Sequence, residues 1–417
     1  MRNRPVNETD QQASGEKHMS AQKQEKASET QMKTVLVTGA SGYLGKHLIH
    51  ALARDRDGIK DIIAADIREP SPETREKGIT YLKADVRSLE MNRIIKAHSV
   101  DTIVHLATIV TPPKGSSHDL TYSVDVIGTQ NILNACVQNH VKKIIVTSSG
   151  AAYGYYADNA PLLTEDDPIR GNKEFPYSYH KRLVEEMLAE YRTQYPQLKQ
   201  IIFRPGSILG ENVSNQITNL FEKKIVIGIK GSDSPFVFIW DQDVVNCIKK
   251  GIQEDRTGIY NLAGDGTLTM KQIAGILEKR YVEVSDTLLE KLFGLFHKIK
   301  GFQSGIKKSI PSIIGPVIMN FQLVQDMLTG ILPRSVHPLV EKLHKAQNHL
   351  GRILPENIGP LFELLDDNLP PYGPEQVVFL KYRPVLSNQK LKDEFGYTPL
   401  KTSEDVFRFY LDTRKTA

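Results

Sequence analysis

Between Lys33 and Ile49 a short β-branched run meets a glycine turn and then an amphipathic run. No other feature of the chain constrains its fold as strongly. Val35, Leu36 and Val37 are too few for a helix and read as a buried parallel strand. Gly39, Gly42 and Gly45 follow at even spacing, and Leu44, Leu48, Ile49 and Leu52 then recur at helical spacing. Strand, glycine turn, helix is the context of a dinucleotide-binding fingerprint. Gly39 permits the tight turn, Gly42 lets a pyrophosphate approach the backbone, and Gly45 lets the helix pack on the strand. The helix N-terminus offers free N–H groups and partial positive charge to the phosphates. The spacing is G-x-x-G-x-x-G rather than G-x-G-x-x-G.

Ile62–Ala65 reads as the next strand, and it ends in Asp66. That carboxylate stands about 20 residues beyond the glycines, where a ribose-binding acid is expected. It accepts hydrogen bonds from ribose hydroxyls and repels a 2′-phosphate, which favours NAD over NADP. Arg68 close by acts the other way.

Strand-like segments at 34–38, 61–66, 79–84, 102–106, 143–148 and 200–204 alternate with helix-like segments at 43–54, 88–98, 119–139, 178–194 and 241–253. The expectation is an α/β fold with a doubly wound parallel sheet. Right-handed crossovers then put the site along the C-terminal edge of the strands. Asp85-Val86 follows the third strand and places a carboxylate near an adenine amino group. His105, on a buried strand, reads as a satisfied core histidine. The 417 residues exceed one typical domain, so two lobes are expected.

Charge and cysteine content exclude little and suggest a setting. A net charge of +4 is small for this length and points to no nucleic-acid partner. The two cysteines, Cys136 and Cys247, form no disulfide framework and fit a reducing, cytoplasmic compartment. Residues 1–31 are polar, lack the apolar core of a signal peptide and read as a disordered tail. No apolar run is long enough to span a bilayer; the nearest, 310–324, is broken by Pro311, Gly315, Pro316 and Asn320.

The chemistry converges on three residues. The strand 143–147 runs into Ser148 and Ser149, and Pro176-Tyr177-Ser178-Tyr179-His180-Lys181 follows later. Tyr177 and Lys181, four apart, share a helix face. A free tyrosine, with pKa near 10, is a poor base at neutral pH. A neighbouring ammonium and a cationic nicotinamide favour its phenolate. The phenolate takes a proton from a substrate hydroxyl, and Ser149 hydrogen-bonds the same oxygen as charge develops. Tyr195–Lys199 and Tyr397–Lys401 match the same spacing, but each contains a proline, Pro196 or Pro399, that argues against a continuous helix.

At these residues the sequence resembles the extended short-chain dehydrogenase/reductase family, also called NAD-dependent epimerase/dehydratases. The likeness covers about 33–282 and 376–411 and rests on TGASGYLG at 38–45, Asp66, ADV at 84–86, VDTIVHLA at 100–107, VIGTQNIL at 126–133, VTSSGAAYG at 146–154, YSYHK at 177–181 and FRPGSILG at 203–210. YRPVLSNQKLKDEFGYTPLKTSED at 382–405 is similar to the family's C-terminal segment. The resemblance implies a Rossmann NAD-binding domain over 33–204, to which 236–262 returns. It also implies a smaller discontinuous substrate lobe over 205–235 and 263–411. A Ser149–Tyr177–Lys181 triad follows, with Lys181 also holding the nicotinamide ribose. So do cofactor contacts from Gly39, Ser41, Gly42, Tyr43, Leu44, Gly45, Asp66, Arg68, Asp85, Val86, Leu106, Ala107, Tyr177, Lys181 and Arg204, and often a homodimer through the helices near 119–139 and 178–194.

Several departures from the family pattern bear on the substrate. Gly150-Ala151 follow Ser149 where the 4,6-dehydratases carry Asp-Glu, so water elimination is not expected. Ser207 replaces an Asn, Asp125 replaces another, and Pro235–Trp240 occupies the place of an arginine that clamps the diphosphate. The family default is a sugar-nucleotide epimerase acting on a small molecule. The alternatives are a one-way dehydrogenase or ketone reductase on a less anionic, lipid- or sterol-like substrate, and a non-catalytic NAD-binding regulator.

Residues 283–375 form an extra segment, read as a helical insertion. Leu288, Leu289, Leu292, Phe293, Phe296 and Ile299 share a helical face, with Lys291, Lys298, Lys300, Lys307 and Lys308 among or after them. A basic amphipathic helix can lie on a membrane surface; a packing helix on the substrate lobe is the plainer reading. His297, His337, His344 and His349 lack metal-ligand spacing, so no metal site is expected.

Overall fold

The computed structural model describes residues 32–110, 118–223, 225–287, 289–290 and 376–415. The polar tail 1–31 and nearly all of the insertion, with its histidines, lie outside them.

The first strand, β1 (Lys33–Thr38), runs through the glycine turn into α1 (Tyr43–Arg54), and β2 (Ile59–Asp66) and β3 (Thr80–Lys83) follow. Next come α2 (Glu90–Ala97), β4 (Thr102–His105), α3 (His118–Tyr122) and α4 (Gly128–Gln138). Then come β5 (Lys143–Thr147), α5 (Pro176–Gln194) and β6 (Lys199–Pro205). After a small lobe described below, α7 (Asp241–Gln253) and β10 (Gly258–Leu262) return to the same sheet. The sheet has seven parallel strands in the order β10-β6-β5-β4-β1-β2-β3. The α/β, Rossmann-type doubly wound sheet is therefore present, and its strand order reverses between β1 and β4, where such folds open a crevice.

Both faces of the sheet are covered, as parallel sheets require. Alternate side chains of one strand enter different cores. Val35 and Val37 pack with Leu48, Leu52, Val244 and Ile248 from α1 and α7. Leu36 packs with Met91, Ile95, Leu133 and Leu188 from α2, α4 and α5. Cys136 and Cys247 are buried and free.

The small lobe comprises β7 (Ser207–Leu209), α6 (Gln216–Glu222), β8 (Ile225–Ile229) and β9 (Phe238–Trp240), then α8 (Met270–Ile276) and β11 (Arg280–Val284). The chain closes with α9 (Gln376–Lys381), α10 (Gln389–Asp393) and α11 (Ser403–Lys415). β7 pairs with β9, and β8 with β11, as two separate parallel ribbons. Phe221, Phe236, Phe238, Phe407 and Tyr410 form the lobe's own core. Among the described residues no helix is long and apolar enough to cross a membrane.

One expected helix is not regular. The segment read as 119–139 contains a π turn, Ser123–Ile127, between α3 and α4. The turn faces Asp125 inward, where its carboxylate accepts hydrogen bonds from Thr108 Oγ1 at 2.9 Å and the Ile109 N–H at 3.0 Å. π turns occur mostly at functional sites.

Candidate active site

A cleft of about 610 Å³ crosses the C-terminal edge of the sheet. Gly39, Gly42, Tyr43, Leu44 and Gly45 form one end, and Leu106, Ser149, Tyr177 and Lys181 line its middle. Beyond them the small lobe supplies the far walls.

The glycine end is built for close approach. Gly39 has φ of +70°, and a Cβ there would lie 2.7 Å from the Ala107 nitrogen. A Cβ on Gly45 would lie 2.2 Å from the Gly39 oxygen. Gly42 caps α1 without a side-chain hydrogen bond, and no acid stands in the first turn. The first N–H groups of a twelve-residue helix therefore face the cleft with their partial positive charge unopposed, which suits an anion. The Tyr43 hydroxyl lies 2.6 Å from an Asp241 carboxylate oxygen at the start of α7 and 2.9 Å from the Glu211 carbonyl beyond β7, and so ties this turn to both.

Asp66 and Arg68 stand beside this turn. The Asp66 carboxylate accepts from the Ser41 N–H and the Arg68 N–H, each at 3.0 Å, and the Ser41 hydroxyl donates to the Arg68 carbonyl at 2.6 Å. Asp85 is held by Arg87, whose guanidinium keeps its carboxyl below the usual range. Val86 is buried against Gly128. Ser41, Asp66, Arg68, Asp85, Val86 and Ala107 are not among the described residues lining the cleft.

Arg204 is not brought to the cleft. Its guanidinium forks onto Glu185, at 3.0 and 2.6 Å, and donates to the Tyr153 hydroxyl at 2.8 Å. Glu185 also accepts from Ser148 at 2.6 Å. This buried ion pair ties β6 to α5 behind the reacting residues. Both serines line the cleft, but Ser148 gives its hydroxyl to Glu185, and Ser149 is the one whose hydroxyl acts on Tyr177.

Tyr177 and Lys181 lie near the start of α5, a turn apart on one face, with the ammonium 5.6 Å from the centre of the Tyr177 ring. Lys181 Nζ donates to the Thr147 carbonyl at 3.1 Å. Burial pushes the Tyr177 phenol well above its ordinary range, and the neighbouring Ser149 hydroxyl acts against that shift. Burial also lowers Lys181, while Asp125 and Glu185 act to keep it charged. Asp125 is itself buried, and its carboxylate lies 3.4 Å from His180 Nδ1.

His105 is a core histidine, as read. Its ring nitrogens lie 2.7 Å from Thr38 Oγ1 and 3.1 Å from Thr129 Oγ1. The cleft residues that sequence reasoning missed are Tyr155, Phe175, Phe379 and Arg383. Arg383 falls in the C-terminal stretch already singled out; a cation beside a proline, with no acid for several residues on either side, was the available signal. The rings carried none, because only the fold brings 155, 175 and 379 together.

Residues 35–263, more than half of the chain, match the NAD dependent epimerase/dehydratase family. An uncharacterized protein of Mycobacterium tuberculosis is 25% identical over 245 residues, which span 58% of this chain and 64% of that protein. UDP-glucose 4-epimerase 2 of Oryza sativa subsp. japonica is 26% identical over 308 residues, 68% of this chain and 72% of the relative. Among solved structures, dTDP-glucose 4,6-dehydratase of Bacillus anthracis in complex with NAD superposes with a TM-score of 0.58 at 17% identity, over 92% of this chain and 97% of that one. At that identity the likeness is one of fold.

Proposed function

The chain belongs to the NAD dependent epimerase/dehydratase family, and on that premise we propose that it is an NAD-dependent oxidoreductase that interconverts a secondary alcohol and a ketone through Ser149, Tyr177 and Lys181. The observation that carries this reading is the meeting of those three side chains in one cleft with the glycine turn.

The residues at the glycine end fit a dinucleotide. Gly39, Gly42 and Gly45 would bring its pyrophosphate against the bare N-terminus of α1. Asp66 would accept from a ribose hydroxyl, and its charge disfavours a 2′-phosphate. Bound there, NAD supplies the acceptor for the two electrons and, when oxidised, a positive charge beside the phenol.

The remaining chemistry is the chain's own. In the oxidising direction Tyr177 takes the proton from the substrate hydroxyl at its phenolic oxygen; in the reducing direction it returns it. Ser149 donates a hydrogen bond to the substrate oxygen as charge develops. Lys181, fixed by the Thr147 carbonyl, holds a cation near the phenol ring. Burial keeps Tyr177 protonated through the neutral range in the chain alone, so its use as a base depends on the positive charges gathered around it. Gly150 and Ala151 follow Ser149 and offer no acid or base for eliminating water.

Sugar-nucleotide epimerisation is one reading, supported by relatives whose names state that activity. One-way oxidation or reduction of a less anionic substrate is the second reading, favoured by the scarcity of cations in the far half of the cleft. Net NADH formation separates them, since an epimerase regenerates its NAD. Tyr177→Phe is expected to lower turnover by about 10²–10⁴-fold while NAD affinity, measured calorimetrically, stays nearly unchanged. Unaltered turnover in that variant overturns the mechanism.

A further inference from the structure

The half of the cleft beyond Tyr177 is walled by aromatic rings. Phe175 lies 6.2 Å from Tyr177, centre to centre, and 4.6 Å from Phe379. Tyr155 completes the cluster, 5.8 Å from Phe175 and 5.0 Å from Phe379. The reacting phenol therefore opens onto three packed rings. Phe236 and Val237, both buried, also line the cleft from the small lobe.

The charge inventory of the cleft is short. Among the described residues that line it, the cations are Lys181 and Arg383 and the acid is Asp233. Lys181 is held at the reacting centre by the Thr147 carbonyl. Arg383 donates to the Ser234 carbonyl at 2.8 Å and its hydroxyl at 2.9 Å, and it lies 3.8 Å over the Phe236 ring. Among the described residues it has no carboxylate partner. Among the described residues, the two phosphates of a nucleoside diphosphate would face one guanidinium already bonded to Ser234, with Asp233 in the same wall. Burying an unpaired charge there is costly.

We infer that the substrate is an apolar secondary alcohol or its ketone, seated on Tyr155, Phe175 and Phe379 and carrying at most one anionic group, which faces Arg383. This rests on the reading of Ser149, Tyr177 and Lys181 given above. The alcohol loses its hydroxyl proton to Tyr177 and two electrons with its carbon-bound hydrogen to NAD, leaving the ketone. The ring cluster contributes to binding in proportion to the apolar area it covers, so affinity grows with the length of the substrate's apolar part.

The test uses the full chain with NAD, a series of straight-chain secondary alcohols of increasing length, and UDP-glucose. NADH formation is expected, with kcat/KM rising about fourfold per added methylene until the ring wall is covered. Calorimetric affinity for the matching methyl ketones should rise in parallel without turnover. Phe379→Ala should flatten that slope, and Phe379→Leu should restore most of it. Interconversion of UDP-glucose with the alcohols inert or length-independent overturns the inference, and its dependence on Tyr177 would leave the proposed function standing. Inert alcohols and inert UDP-glucose with NAD bound overturn the inference too. Failure to bind NAD overturns both.

Discussion

His105 ends β4 with both ring nitrogens beside threonine hydroxyls, and burial, reinforced by Lys181, lowers its pKa to about 4. The unfolded ring titrates near 6.5. Between those values the unfolded chain binds a proton that the folded chain does not. Stability supplied by this residue is therefore complete above pH 6.5 and is lost as pH falls toward 4, to a total of roughly 3 kcal/mol. Urea unfolding across that window should show the loss in the wild type, and His105→Gln should remove that part of the slope; an equal slope in the variant refutes the assignment. The sequence made His105 legible because an isolated histidine in an apolar strand has one ordinary explanation. Arg204 was not legible in the same way. Its motif suggested a cofactor contact, yet its partner Glu185 lies on another element, and no local pattern announces a buried ion pair closed by the packing of β6 on α5.

At the scale of elements, β1, the glycine turn and α1 follow directly from residue type, since Gly39 and Gly45 each answer a measurable steric need. A Cβ at position 45 would meet the Gly39 oxygen at 2.2 Å and the Ala40 Cα at 2.7 Å, backbone atoms that cannot swing aside. Gly45→Ala must therefore push α1 off the strand, tilting the N–H groups that face the cleft. NAD affinity is expected to fall at least about tenfold, with a loss of thermal stability in the several-degree range. Gly275→Ala in α8, where a Cβ meets nothing within 4 Å, should leave affinity unchanged and add up to about 1 kcal/mol of stability. Equal effects at the two sites, read by calorimetry and thermal melts, count against the steric argument. The π turn is the opposite case. Helical periodicity from 119 to 139 is satisfied by a regular helix, and what unwinds it is tertiary: Asp125 must reach the Thr108 hydroxyl and the Ile109 N–H. The ribbon β7–β9 was equally hidden, because strands of three residues carry too little pattern to read.

Across the whole molecule, the end of the chain holds the far wall of the cleft in place. In α11, Phe407 is fully buried, 5.6 Å from Phe238 and 5.1 Å from Phe221. Phe238 stacks on Phe236 at 5.4 Å with planes 5° apart, and Phe236 lies under Arg383. A row of contacts thus runs from the last helix to Arg383, the guanidinium among the described residues of the substrate half, through a core that meets the glycine turn at Tyr43. Phe407→Ala should remove about 3–5 kcal/mol of stability. Because Phe236 and Arg383 line the cleft, the same change should also weaken substrate binding, raising KM roughly threefold to thirtyfold. The Rossmann sheet packs on separate cores, so NAD affinity should hold within about twofold. Phe407→Leu, which keeps most of the volume, should recover both stability and KM in large part. The two affinities can be measured on one preparation well below its melting temperature. If NAD binding weakens as KM rises, the two lobes respond as one unit, and the separation of cofactor and substrate halves drawn from their distinct cores fails; if KM alone moves, the far wall depends on the last helix as its packing requires.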